Sequence, residues 1–448
     1  MEKNLSKNTL SVGFVPLGCP KAIVDSERML AEIAQAGFPL AADPDTADIV
    51  VINTCAFIAP AINEAMQAIK HALQQKKHGA VKKVIVAGCL PQRVGMKLFQ
   101  MAEGIDAVVG LAYRDKIGEI IKKSISCEKK QACIEPALQP VADDRTRLPL
   151  TPPHYAYLRI SEGCGRRCSF CTIPFIRGKF RSKPIDNVLA EADELVCAGA
   201  VELNIIAQDT TSYGRDLKLK NGLCTLLAEL EKIPRLKWLR LMYLYPAAVT
   251  ARLIETIAES KKIVHYLDIP IQHINNQILG KMHRSDTNEK ICRLIQSLRR
   301  TIDDVVLRTT VIVGFPGETD RQFQELIDFI RWAEFDALGC FKFYAESGTA
   351  AADMPAQVPE NVKDRRLDKV MLTQQKIAFA KNNARTGTGL TCLVDSLDEN
   401  AAGKARFYGQ APDIDSVCII KNCSGKPGAF LPTRVIAAEN YDLVVKQI

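Results

Sequence analysis

At 448 residues the chain is too long for one ordinary core, so two or three domains are expected. Its 47% hydrophobic and 25% charged content are those of a soluble globular protein, and no run of 18 or more apolar residues is present to span a membrane. The net charge of +8 fits a charge-mixed solvated surface and leaves a ribonucleoprotein or nucleic-acid partner open. The opening stretch MEKNLSKNTLSVGFVPLG has no apolar core of about 7–15 residues followed by a small-residue cleavage site, so no signal peptide is read and a cytoplasmic location is expected. In that reducing compartment the fifteen cysteines are thiols or metal ligands rather than disulfides.

In chain order, three apolar β-branched runs each end in a cysteine: SVGFVPLGC at Cys19, ADIVVINTC at Cys55 and KKVIVAGC at Cys89. Helix-like stretches at 24–36 and 60–75 lie between them. Strand, helix, strand at this period predicts βαβ units and a parallel sheet. Each cysteine falls just past its strand's C-terminal end, the edge where open α/β sheets bind ligands. Three cysteines distant in sequence should therefore meet in space. Residues 136–153, PALQPVADDRTRLPLTPP, hold five prolines and read as an extended linker.

Strand candidates then recur at 155–160, 202–207, 238–243, 266–271, 308–314 and 337–343, with helical patterns such as 186–199 between them. Six βα units in series predict a barrel or partial barrel whose chemistry sits on the loops after the strands. A long charged helix is predicted over 361–386. From about 388 to 448 short strand-like runs broken by Gly, Pro, Asn and Asp predict a small five-stranded, OB-like barrel.

Directly after the first strand of the middle section stands EGCGRRCSFCTIP (162–174), with Cys164, Cys168 and Cys171 spaced C-x3-C-x2-C. A closed structural zinc site or an electron-transfer iron–sulfur cluster takes four ligands. Three thiolates on a four-iron cluster leave one iron open. A zinc site completed by a distant fourth ligand is the competing reading, although structural zinc spacings pair two CxxC units. The trio Cys19, Cys55 and Cys89, taken alone, could be buried core residues, a reading weakened by their holding the same place in three successive strand units. The other nine cysteines show no ligand-like grouping. Cys127 and Cys133 in CEKKQAC read as a loop pair, and Cys340 reads as core.

The spacing C-x3-C-x2-C after a first barrel strand resembles the radical S-adenosylmethionine superfamily. The whole chain is similar to the methylthiotransferase family within it, and most similar to the branch called RimO. LGCPKAIVDSE (17–27), EGCGRRCSFCTIPFIRGKFRSKP (162–184), IAQDTTSYG (206–214), YLYPAA (243–248), YLDIPIQH (266–273), RTTVIVGFPGET (308–319) and ARFYGQAPDID (405–415) carry the likeness. Departures are Ala22 for the usual Asn, His283 and Ser285 in KMHRSD, and Gln410 before APDID. The resemblance implies an α/β chain with a flavodoxin-like N-terminal domain (8–135), the linker (136–153), a radical S-adenosylmethionine partial barrel of six βα units (154–380) and an all-β TRAM domain (381–448).

The resemblance further implies two 4Fe–4S clusters and S-adenosylmethionine as cofactors. Cys164, Cys168 and Cys171 would hold the cluster that cleaves S-adenosylmethionine. Cys19, Cys55 and Cys89 would hold an auxiliary cluster bearing the sulfur to be inserted. The product would be a methylthio group on the β-carbon of an aspartate in small-subunit ribosomal protein twelve. The rival readings are the same chemistry on an adenosine of transfer RNA, and a non-catalytic metal-stabilised RNA-binding protein. Phe170 stands where the pattern puts a side chain near the adenine, and Gly314 and Glu318 stand where the superfamily contacts the cofactor. Gln208 and Asp209, and Gln272 with His273, are candidates to line the pocket. Arg177 and Arg181 are candidates to meet carboxylates of cofactor or substrate. Asp413 and Asp415 form an acidic loop suited to a basic protein substrate. A reductant such as flavodoxin or ferredoxin is implied, the sulfur donor is left open, and no membrane partner is expected.

Overall fold

A computed structural model describes residues 10–136, 143–399 and 402–448, and the chain divides into two compact units. The first comprises residues up to Leu150 with Glu162–Arg166 and Cys171–Lys183; the second comprises Thr151–Ser161, Arg167–Phe170 and Pro184–Ile448.

The first unit is built on five parallel strands in the order β1 (Val12–Pro16), β2 (Ile49–Thr54), β3 (Lys83–Gly88), β4 (Ala107–Val109) and β5 (Gln131–Cys133). Outside β1 a single parallel bridge joins Val12 to Leu40. Counting that bridge as a reduced strand, the order by sequence is 2-1-3-4-5-6, which continues the flavodoxin-like pattern 2-1-3-4-5. The strands are apolar throughout because both faces are covered. Ile49 and Val51 pack on one side with Met29, Ile33 and Ile121, while Val50 and Ile52 pack on the other with Ile69 and Leu98. Helices Pro20–Gln35 and Ala59–Lys77 follow the first two strands, as their sequence period requires.

Of the stretch read as a linker, residues 137–142 lie outside the described residues. Residues 143–150 are packed rather than free-running. Buried Asp144 pairs with Lys183 at 2.6 Å and Arg114 at 2.9 Å, and the Leu150 N–H donates to Glu27 at 2.9 Å. The prolines give extended backbone, and the charged residues between them anchor it.

The second unit carries six parallel strands, in sheet order β6 (Tyr155–Arg159), β9 (Glu202–Ile206), β10 (Trp238–Leu241), β11 (Ile263–Asp268), β12 (Val306–Val313) and β13 (Ala337–Lys342). The short strands β7 (Ser161–Glu162) and β8 (Arg181–Ser182) pair separately. Alternation along the six strands separates two faces. Leu158, Leu203, Ile205, Leu239, Leu241, Leu267 and Leu307 join the apolar core with the surrounding helices. Tyr155, Tyr157, Arg159, Glu202, Asn204, Arg240, Tyr266 and Asp268 are their alternates and are buried too. The helix Glu360–Ala384 adds Val370 to the core and leads into a closed barrel of β14 (Gly389–Leu397), β15 (Gly403–Phe407), β16 (Cys418–Ile420), β17 (Phe430–Glu439) and β18 (Asp442–Gln447).

The small barrel is tied to the polar face of the six-stranded sheet. Glu202 accepts from Arg240 and from Arg406 of β15, each at 2.8 Å, and Arg406 also pairs with Asp395 at 2.8 Å. The Tyr155 and Tyr157 hydroxyls donate to Asp413 at 3.0 and 3.1 Å. Tyr266 donates to Asp415 at 2.7 Å, and Arg308 pairs with Asp268 at 2.9 Å and with Asp415 at 3.3 Å. The acidic loop expected to face a basic substrate therefore spends its carboxylates inside the unit. Tyr155 and Glu202 open their strands, so their contacts to Asp413 and Arg406 lie toward the N-terminal ends, while Asp268 closes β11.

Glu202 is fully buried; burial opposes its ionisation, but Arg406 and Arg240 outweigh that and hold it below the ordinary carboxylate range. Its stabilising effect is therefore complete above about pH 4.5, its unfolded range, and drains away as acid titrates the folded carboxylate. Glu202→Gln should lower stability at neutral pH by about 3–5 kcal/mol, because Arg240 loses its carboxylate and Arg406 loses one of its two. Denaturant unfolding from pH 7 to about pH 2.5 checks this: the gap between parent and variant should stay constant down to about pH 4.5 and narrow below it.

Candidate metal centre

The first three cysteines are brought to one edge by strand register. Asn53 of β2 lies abreast of Pro16 of β1 and Ala87 of β3, and Thr54 lies abreast of Gly88. Cys55 and Cys89 directly follow these adjacent strands, Cys89 opening the short helix Cys89–Val94, while Cys19 caps the helix Pro20–Gln35. Gly18, at φ +107°, allows the close approach: a Cβ there would lie 2.9 Å from the Cβ of Cys55. Two polar residues pin the edge. The Asn53 side-chain amide donates to the Ala22 carbonyl at 2.9 Å and the Ser26 hydroxyl at 2.8 Å. The Thr54 hydroxyl donates to the Ala87 carbonyl at 2.7 Å and accepts from the Leu90 N–H at 3.3 Å.

The thiols feel one another and two cations. Burial works against ionising Cys19, yet Lys21, Arg177 and the N–H groups at the start of its helix outweigh it and hold that thiol below its ordinary value. Burial, followed by the charge of Cys19, raises Cys55. Burial pushes Cys89 up to about 12, opposed by Arg177. Arg177, 2% exposed, places Nη2 3.4 Å from the Cys89 sulfur and 2.9 Å from Asp25, while Nη1 meets Glu162 at 3.1 Å. The sequence-based expectation was that Arg177 would meet carboxylates of a cofactor or substrate; it meets the chain's own. Arg181 is half-buried, with Nη2 3.4 Å from the Arg177 carbonyl.

Cys164, Cys168 and Cys171 are half-buried. Cys164 and Cys171 belong to the first unit and Cys168 to the second. The Cys164 N–H donates to the Gly178 carbonyl at 3.2 Å, and its sulfur accepts from the Arg166 N–H at 3.4 Å. The segment carrying Cys168 is held by Ser169, whose N–H and hydroxyl donate to the carbonyls of Met282 and Lys281 at 3.1 and 2.7 Å. Among the described residues no three His, Cys, Asp or Glu side chains sit close enough to share a single metal ion. A trio of thiols around the corners of a cube-shaped cluster spans more room than one around an ion. The all-sulfur donor set and the edge opened by Gly18 fit the cluster.

The remaining candidates turn out mostly inward. Gly314, at φ +73°, donates its N–H to Glu318. Glu318 is buried, 3.3 Å from Arg366 and 3.5 Å from Nε2 of His273. His273 is fully buried, and its Nδ1 accepts from the Asn275 N–H at 3.0 Å. His273 thus supports the turn rather than lining a pocket. Phe170 is half-buried and packs against the apolar cluster that contains Met282, Ile312, Phe315 and Phe343. Asp209 is buried and accepts from the Ser212 hydroxyl at 2.7 Å. Gln208 and Gln272 remain half-buried after β9 and β11. Asn53, Thr54 and Asp25 escaped sequence reading. The available signal was polar residues inside otherwise apolar, buried runs.

Family models match three segments: the Radical SAM superfamily over 158–330, Uncharacterized protein family UPF0004 over 11–110, and the TRAM domain over 386–448. Among solved structures the radical S-adenosylmethionine methyltransferase TsrM from Kitasatospora setae, with tryptophan and an S-adenosylmethionine analogue bound, shares the fold at TM-score 0.54 and 15% identity, over 74% of this chain and 73% of that one. Together with the parallel sheet and the cysteine loop that follows β6, these matches define a radical S-adenosylmethionine enzyme. Ribosomal protein uS12 methylthiotransferase RimO of Geobacter sulfurreducens is 42% identical over 97% of both chains, and that of Syntrophomonas wolfei is 40% identical over 97% of this chain and 99% of its own. The chain belongs to the RimO family of methylthiotransferases.

Gly18→Ala should destabilise the first unit by about 1–3 kcal/mol, since it adds a Cβ both at a strained φ and against Cys55. Thermal unfolding checks the loss. Gly37→Ala, at a comparable φ of +89° with nothing near its Cβ, separates the strain from the collision.

Proposed function

We propose that this chain transfers a methylthio group to the β-carbon of an aspartate in ribosomal protein uS12. What carries the reading is the convergence of Cys19, Cys55 and Cys89 on one sheet edge beside the buried guanidinium of Arg177. These three thiols would hold the auxiliary 4Fe–4S cluster; Cys164, Cys168 and Cys171 would hold the second. When bound, the clusters and S-adenosylmethionine supply one-electron reduction, a carbon radical able to take a hydrogen, and the methylthio sulfur.

The chain's own residues do the rest. Strand register sets the spacing of the first three thiols, and Asn53 and Thr54 hold the strand ends so that the spacing survives. Cys89 is buried while Cys19 and Cys55 are half-buried, and Arg177 with Lys21 offsets the thiols' negative charge when they ionise to bind metal. On the second unit the loops after β9 and β11 place Gln208 and Gln272, both half-buried, as candidates to meet cofactor or substrate. An electron donor of the flavodoxin or ferredoxin kind and a cytoplasmic setting complete the reading. No helix among the described residues is long and apolar enough to cross a membrane.

Anaerobic reconstitution tests it. The parent should bind about eight irons and acid-labile sulfides, and a Cys19/Cys55/Cys89→Ala variant about four. The variant should still release 5′-deoxyadenosine with dithionite but fail to methylthiolate uS12. Offered uS12 and transfer RNA together, the parent should modify only the protein, read by mass spectrometry of both. Zinc in place of iron, or modification of the RNA alone, sinks the reading.

A further inference from the structure

Arg177 ends the short helix Ile173–Arg177 that follows Cys171, and its charge has no access to water. Its fork is fixed on three sides: Asp25 at 2.9 Å, Glu162 at 3.1 and 3.2 Å, and the Cys89 sulfur at 3.4 Å. Asp25 is itself held by Arg114 at 3.0 Å; Arg114 reaches Asp144 at 2.9 Å, and Asp144 takes Lys183 at 2.6 Å. Charges alternate along this buried row, so the guanidinium cannot turn away without stranding a carboxylate. A single N–H of a fully committed arginine is thereby aimed at one cysteine sulfur. Glu162 lies two residues before Cys164, so the same fork ties the segment entering the cysteine loop to the strand-end trio.

A hydrogen bond to a cluster-ligating thiolate strengthens as the cluster gains an electron, and so raises its reduction potential. We propose that Arg177 is a positioning residue that raises the reduction potential of the cluster at Cys19, Cys55 and Cys89 by donating a hydrogen bond to the Cys89 sulfur. The inference rests on the cluster assignment above. Lysine keeps the charge but not the planar fork, and cannot serve Asp25, Glu162 and sulfur together.

The test uses the full chain with Cys164, Cys168 and Cys171 changed to Ala, so that only the strand-end cluster assembles. Two variants are built on it: Arg177→Lys, and Arg177→Gln paired with Asp25→Asn to keep buried charge balanced. Iron content and an anaerobic potentiometric titration followed by electron paramagnetic resonance are measured, with pulsed spectra in H2O and D2O. Expected are about four irons throughout, a midpoint shifted to lower potential in both variants and further in the paired one, and loss of an exchangeable proton coupled to the cluster. Should the paired variant fail to fold, the lysine variant alone decides. Full iron with an unchanged midpoint and an unchanged proton coupling overturns the proposal. Loss of iron from the lysine variant also overturns it, giving Arg177 a role in holding the ligands instead. Absence of iron while Arg177 is still in place fells the cluster assignment itself, and is thereby distinguished from a failure of Arg177's role.

Discussion

A carboxylate stripped of water has to be answered, and Asp25 is answered twice. It accepts Arg114 on one oxygen and Arg177 on the other, at 3.0 and 2.9 Å. An isolated buried ion costs several kcal/mol, so each of these groups holds the next in place. Asp25 rides on the helix that Cys19 caps, Arg114 comes from the segment after β4, and Arg177 comes from beyond the second cysteine motif. The cysteine edge therefore depends on a charge row that draws together segments far apart in sequence. Stability is a weak explanation for such a row, since apolar residues of similar volume often do as well. Fixing the direction of one N–H toward sulfur is something apolar residues cannot do.

The second unit uses the same device for a different purpose. A sheet whose inner face carried only apolar side chains would need no partner there. Glu202, Arg240, Tyr266, Asp268 and Arg308 instead demand hydrogen bonds, and the loop and strand around 406–415 provide them. The small barrel is thus built into this unit through buried charge. The phenols that donate to Asp413 have their ionisation pushed far up, by burial first and then by that carboxylate, so they stay donors at any physiological pH.

Period was legible and long-range pairing was not. Strands at 155, 202 and 308 and the long helix from about 360 follow from local pattern, and they formed within a few residues of expectation. The gathering of Cys19, Cys55 and Cys89 was legible because βαβ units deliver successive strand ends to one edge. Arg177 was not, because its partner Asp25 lies 152 residues away and nothing local distinguishes a buried arginine from a solvated one. The acidic loop was misread for the same reason. Its sign suggested a basic protein, whereas Tyr266 and Arg308, 149 and 107 residues distant, already claim Asp415. His273, a candidate to line the pocket, is fully buried, and its Nδ1 accepts from the Asn275 N–H.

The two ends of the six-stranded sheet differ in a way that bears on chemistry. Its N-terminal end is saturated with ion pairs. Past its C-terminal end, Tyr243 and Gln272 hold φ at +61° and +68°, values a non-glycine residue adopts only under constraint. The constraint is visible. The Tyr243 N–H donates to Asp268 while its carbonyl accepts from the Thr210 N–H. Gln272 is bonded on both sides to β12, through the Thr310 carbonyl and the Ile312 N–H. Asp268 links the ends: one oxygen serves Arg308 in the ionic layer and the other fixes the strained Tyr243. The ion pair that fixes Asp268 thereby helps hold the strained Tyr243, on the side where loops after the strands carry the reactions of barrel folds.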